Sequence, residues 1–123
     1  MNIMGVCIIT DDVIKLSRFY QKVICTVATG DDIHSEIKMN GIGLAIYKKA
    51  AAQKDMGFDF SKYDGNGKTV LMIKVEDVDH EYTRLQKIVT EFMTSPKTYP
   101  WGARSFQFRD PDGNIVDFVT PTK

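Results

Sequence analysis

Trp101-Gly102-Ala103-Arg104-Ser105-Phe106-Gln107-Phe108-Arg109-Asp110-Pro111-Asp112-Gly113-Asn114-Ile115-Val116-Asp117-Phe118 sets two alternating runs on either side of an Asp-Pro-Asp-Gly-Asn turn. Proline presets the turn, glycine accepts a positive φ, and the Asp and Asn side chains bond local backbone. The stretch therefore predicts a β-hairpin, with strands at about Arg104–Arg109 and Asn114–Thr120. Strand alternation puts Asp117 on the face opposite Val116 and Phe118, so the last strand delivers a carboxylate to one side only.

Working outward, the chain repeats itself. Ile8-Ile9-Thr10-Asp11-Asp12-Val13 and Ile73-Lys74-Val75-Glu76-Asp77-Val78 are related by the shift from Asp12 to Asp77, which is 65 positions. The same shift pairs Gln21-Lys22-Val23 with Gln86-Lys87-Ile88. Each copy reads as an apolar strand, two acids and a helical segment, with helices over about 12–23 and 77–89. Asp12 and Asp77 suit the N-cap, where a carboxylate bonds free amides and complements the helix dipole. Val78, Tyr82, Leu85 and Val89 form one apolar stripe at helical spacing; Leu16, Phe19 or Tyr20, and Val23 form a looser one.

Three strands follow each helix: about Thr26–Thr29, Ile33–Met39 and Ile42–Lys48, then about Phe92–Ser95, Arg104–Arg109 and Asn114–Thr120. Asn40-Gly41 is a tight turn. The expected organisation is α+β, with two tandem βαβββ modules in a single domain over 1–123. Module one spans about 3–48, a linker about 49–67, and module two about 68–120. Gly57, Gly65-Asn66-Gly67 and scattered charges make the linker a loop. A chance likeness between two ordinary β-α units is the competing explanation of the repeat.

Composition narrows the function classes. Sixteen basic and sixteen acidic side chains cancel, so no basic field exists to hold nucleic acid. Cys7 and Cys25 are the two cysteines; they read as reduced thiols of a cytoplasmic protein, with a single bridge as the alternative. The apolar start, Met1 to Ile9, lacks a basic region and is broken by Asp11-Asp12 well short of a membrane span. It reads as a buried strand, and no membrane partner is expected.

Paired βαβββ modules, with Val75-Glu76-Asp77-Val78-Asp79, Ser95-Pro96 and the Trp101–Asp117 stretch, resemble the vicinal oxygen chelate superfamily: glyoxalase, bleomycin-resistance and extradiol-dioxygenase proteins. The resemblance covers essentially residues 3–120. It implies a curved mixed eight-strand sheet and, in metal-binding members, ligands at four equivalent strand positions, usually His, Glu or Gln. Carried onto this chain, those positions are Gly5, Ala45, Val70 and Asp117. Only Asp117 has a donor side chain, whereas a catalytic divalent site needs about three protein ligands. No metal and no cofactor is therefore expected. His80 reads as a solvated residue of the second helix. His34, alternating with Glu36 and Lys38, either reaches a ligand or faces solvent.

If Gly5 and Val70 face the concave side, the strand period also points Cys7, Ile9, Met72 and Lys74 there. Ser105 and Gln107 share a side of their strand, and the resemblance to fosfomycin-type relatives makes them ligand contacts. Trp101, beside Tyr99, stacks on a planar ligand as in the bleomycin-binding branch, or else plugs the sheet or a dimer interface. Tyr47, Phe58 and Phe60 line the cavity or pack the linker, and Arg104 or Lys97 is a candidate holder of an anionic group. A buried Asp117 without metal needs a donor, for which Lys74 and Gln107 are in reach.

The ligand-binding set is thus Cys7, Tyr47, Met72, Lys74, Trp101, Ser105, Gln107 and Asp117. The expected function is metal-independent capture of a small hydrophobic or aromatic molecule in the concave cavity, by a homodimer resembling antibiotic-resistance binders. The alternative is a glyoxalase-type lyase or isomerase using Asp117 and a divalent metal. A third class is a structural or regulatory dimer with no ligand.

Overall fold

A computed structural model describes residues 1, 3–61 and 69–122. Contacts divide the chain into two compact units, Met1–Asp64 and Gly65–Lys123. The first is a βαβββ arrangement followed by a short helix, the second has the same order with one more strand after its helix, and nine strands and three helices occur among the described residues.

In the first unit, β1 (Gly5–Thr10) leads into helix α1 (Val13–Ile24), followed by β2 (Thr29–Gly30), β3 (His34–Met39) and β4 (Ile42–Lys48). The sheet order is β1-β4-β3-β2, with β1 parallel to β4 and the other pairs antiparallel. Asp12 caps α1 as expected, its carboxylate accepting from the Lys15 amide at 3.1 Å. The helix ends at Cys25, whose φ of 59° places a non-glycine residue in the left-handed region. Val13, Leu16, Tyr20 and Val23 of α1 are buried, as are Ile37, Leu44 and Ile46 of the sheet. Ser17 and Ser35 satisfy each other across that layer through their hydroxyls at 2.5 Å.

The second unit runs β5 (Val70–Lys74), α3 (Val78–Leu85), β6 (Glu91–Phe92), β7 (Lys97–Tyr99), β8 (Ala103–Arg109) and β9 (Ile115–Pro121). Here β5 is parallel to β9, β9 is antiparallel to β8, and β6 and β7 both pair with β8. Asp77 caps α3 through the His80 amide at 3.1 Å. The helix is shorter than its apolar stripe: after Leu85 the chain turns, and the Ile88 and Val89 amides both donate to the Leu85 carbonyl. Val89 is still buried, so the stripe reports the core rather than the helix length. Phe106, Phe108 and Phe118 are buried; Phe106 and Phe108 stack with planes 30° apart, Phe118 meets both edge-on, and Tyr82 and Phe92 extend the aromatic cluster.

The hairpin forms where the sequence places it, and Asp110 is its hub. This buried acid accepts from the Asp112 and Asn114 amides, both at 2.9 Å, and from Asn114 Nδ2 at 2.8 Å. Gly113 supplies the positive φ, 88°.

Four expectations are corrected. The strands form separate four- and five-stranded sheets, with nine strands in place of eight. The strand expected at Phe92–Ser95 is split, because the Met93 and Thr94 amides both reach the Gln107 carbonyl, a bulge, and Pro96 has no amide to offer. The linker opens with helix α2 (Lys49–Met56), which its Lys-Ala-Ala-Ala-Gln-Lys sequence favours and Gly57 ends at φ 67°; Gly65-Asn66-Gly67 lies outside the described residues. The start is not buried: Met1, Ile3 and Met4 are exposed, and β1 begins only at Gly5.

Truncating Phe106 to alanine removes the ring that touches four other aromatics. It is expected to cost about 3–5 kcal/mol, a large share of a small domain's stability. Urea unfolding monitored by circular dichroism measures it.

Candidate functional site

The register divides every strand into a helix-facing and an open side. In the second unit Phe106, Phe108, Val116 and Phe118 take the buried side, which leaves Ser105, Gln107, Ile115, Asp117 and Val119 on the other. Three rows cross this open face. Val70, Ile115, Arg109 and Glu91 form one row, Met72, Asp117 and Gln107 the next, and Lys74, Val119, Ser105 and Lys97 the third. In the first unit Leu44 and Ile46 take the buried side, so their partners leave Gly5, Cys7 and Ile9 with Gly43, Ala45 and Tyr47 on the open side. His34, Glu36 and Lys38 share it. The strand period thus places Cys7, Tyr47, Met72, Lys74, Ser105, Gln107 and Asp117 on open faces, each within its own unit.

Asp117 is 8% exposed and Ser105 5%. Gln107 ties them together: its Nε2 donates to Asp117 Oδ1 at 2.7 Å and lies 3.2 Å from Ser105 Oγ. Thr94 holds Gln107 in turn, its hydroxyl donating to Oε1 at 2.9 Å while accepting from the Gln107 amide at the same distance. Of the two donors considered for Asp117, Gln107 is the one used; Lys74 makes no ion pair among the described residues. Thr94 has no signal of its own in the sequence, because the bulge that aims it at Gln107 is not written in the alternation.

Trp101 lies just beyond β7, 72% exposed, and stacks on Tyr99 with ring centroids 4.5 Å apart and planes 15° apart. Tyr99 pairs with Ala103, so it belongs to the open face, and Lys97 Nζ lies 5.2 Å from its ring centroid. The result is an aromatic platform at one end of the face. Tyr47 packs edge-on against His34, whereas Phe58 and Phe60 pack on each other after α2. Partial desolvation pushes the thiol of Cys7, an exposed residue, above its usual range, which disfavours thiolate chemistry there. Arg104 is not available for an anion: it clamps Asp79 through Nε and Nη2, at 2.8 and 2.7 Å, and donates to Thr98. The guanidinium's hydrogen bonds hold the Asp79 carboxyl below its ordinary value.

A divalent metal does not fit these residues. Val70 and Ala45 offer no donor. At Gly5 a side chain has no room, since an added Cβ would meet the Gly43 carbonyl oxygen at 2.6 Å. One oxygen of Asp117 is already bonded to Gln107. Among the described residues no group of three or more His, Cys, Asp and Glu side chains is placed to hold a metal ion.

Comparison with known proteins agrees with this architecture. A glyoxalase/bleomycin resistance protein/dioxygenase from Nocardioides superposes with a TM-score of 0.83 at 22% identity, covering 100% of this chain and 85% of that one. A family enzyme from Burkholderia phytofirmans PsJN gives 0.85 at 18% identity, covering 98% of this chain and 99% of that one. A glyoxalase-related enzyme from Fulvimarina pelagi gives 0.82 at 20% identity, covering 98% and 88%. At these identities the likeness is one of fold. None of the curated proteins matches the chain. In sequence, residues 3–118 match one family throughout, and the chain belongs to the Glyoxalase/Bleomycin resistance protein/Dioxygenase superfamily.

Proposed function

We propose that this family member is a metal-independent binder that captures a small hydrophobic or aromatic molecule stoichiometrically, without covalent chemistry. The observation that carries the reading is the state of Asp117. The one acid at a metal-ligand position is held by a glutamine, itself held by Thr94, in a side-chain network that leaves no metal polyhedron to complete. Around it the open face offers exposed Val70 and Met72 and the Tyr99–Trp101 stack. Apolar surface with a few fixed polar groups is the usual make-up of a small-molecule site.

The ligand contacts proposed are Met72, Lys74, Trp101, Ser105, Gln107 and Asp117 on the open face of the second unit, and Cys7 and Tyr47 on that of the first, each taken within its own unit. Trp101 supplies a stacking surface, because Tyr99 occupies one side of its ring system and the residue is otherwise mostly exposed. We also propose a homodimer, in which a second chain covers exposed apolar residues that a monomer would leave in water, including Ile3 and Met4. Free Cys7 and Cys25 fit a reducing, cytoplasmic setting. No helix among the described residues is long and apolar enough to cross a membrane.

Calorimetric titration with a panel of planar aromatic compounds tests this reading. Binding is expected to be unchanged by a chelator, and Trp101→Ala is expected to weaken it by about 1–3 kcal/mol. Binding abolished by the chelator, or an unchanged affinity in Trp101→Ala, contradicts it. Sedimentation at micromolar concentration should return a dimer; a monomer removes the second chain from the site.

A further inference from the structure

Asp117 is less than one-tenth exposed, and no cation among the described residues pairs with it. Gln107 satisfies Oδ1 and has little left to give, since its Nε2 also lies beside Ser105 Oγ and its Oε1 accepts from Thr94. Oδ2 accepts no hydrogen bond from a described residue. Among the described residues no buried side-chain oxygen is sealed off without a partner, so Oδ2, on the open side of β9, keeps access to solvent. A largely buried carboxylate with one neutral donor is stabilised far more by a charged donor than by a second neutral one.

We propose that Asp117 determines specificity at this site by bonding a protonated amine of the ligand through Oδ2. The inference rests on the small-molecule binding reading above and adds the ligand's charge and length. Asp117 pairs with Gln107, whereas Tyr99 pairs with Ala103, four residues along β8. That separation is about 13 Å along the strand. A ligand using both ends therefore carries an aromatic group and an ammonium nitrogen roughly 10–13 Å apart. Between them lies the row of Lys74, Val119, Ser105 and Lys97. Two lysines flanking that row disfavour a second positive charge there, so the connecting part is neutral and largely apolar.

The test compares 6-(2-naphthyl)hexylamine with 6-(2-naphthyl)hexan-1-ol, which keeps the ring, the length and a neutral donor. Calorimetry on the intact protein is expected to show the amine binding at least about 10-fold tighter than the alcohol. That preference should vanish in Asp117→Asn, which preserves the shape and the oxygen that accepts from Gln107. It should persist in Glu76→Gln, which removes an exposed carboxylate outside the site. Equal affinity of the two probes for the native protein overturns the inference, as does a preference that survives in Asp117→Asn; in both cases the binding reading itself stands. Absence of binding by either probe at millimolar concentration overturns both. Should Asp117→Asn fail to fold, Asp117→Ser, read in the same way, decides.

Discussion

The register of the β8–β9 hairpin is the constraint from which the site follows. Asp110 fixes it by accepting three hydrogen bonds inside the turn. A slip of one residue would move Phe106, Phe108 and Phe118 out of the core and Ser105, Gln107 and Asp117 into it. Burial of three aromatic rings therefore decides which polar groups share the open face. The same rings bring Gln107 opposite Asp117, which makes the hydrogen bond between them a consequence of core packing.

The four positions expected to hold metal ligands differ from a metal site in more than missing donors. At Gly5 the close approach of β1 to the Gly43 carbonyl leaves no space for a side chain, so a ligand there would require the strands to move apart. At Asp117 a carboxylate is present, but one of its oxygens is bonded to the Gln107 amide. A buried acid needs compensation of some kind. In this protein Gln107 gives part of it, Ser105 and Thr94 orient the amide, and the remaining oxygen faces outward.

Much of this was legible in the sequence. The 65-residue repeat and the Asp-Pro-Asp-Gly-Asn turn gave both modules, both helix caps and the hairpin, because capping and turn chemistry are local. Alternation assigned the open face correctly in both units, since burial of the opposite face enforces it. Other features depend on tertiary context. The bulge at Met93-Thr94 arises from sharing the Gln107 carbonyl, so neither the split of β6 from β7 nor the role of Thr94 was readable. Helix α2 was hidden because the linker's glycines and charges outweighed its alanine-rich opening. Arg104 looked like a free cation until the fold brought Asp79 of α3 beside it.

The central claim is that Asp117 serves the protein as part of a hydrogen-bonded network and not as a metal ligand. Titration of the purified protein with nickel, zinc and manganese, followed by metal analysis and structure determination, tests it most directly. The account predicts no tight, near-equimolar uptake and an intact Gln107–Asp117 hydrogen bond. Stoichiometric tight binding of any of these ions with Asp117 among its ligands would contradict it and favour an enzyme of the glyoxalase type.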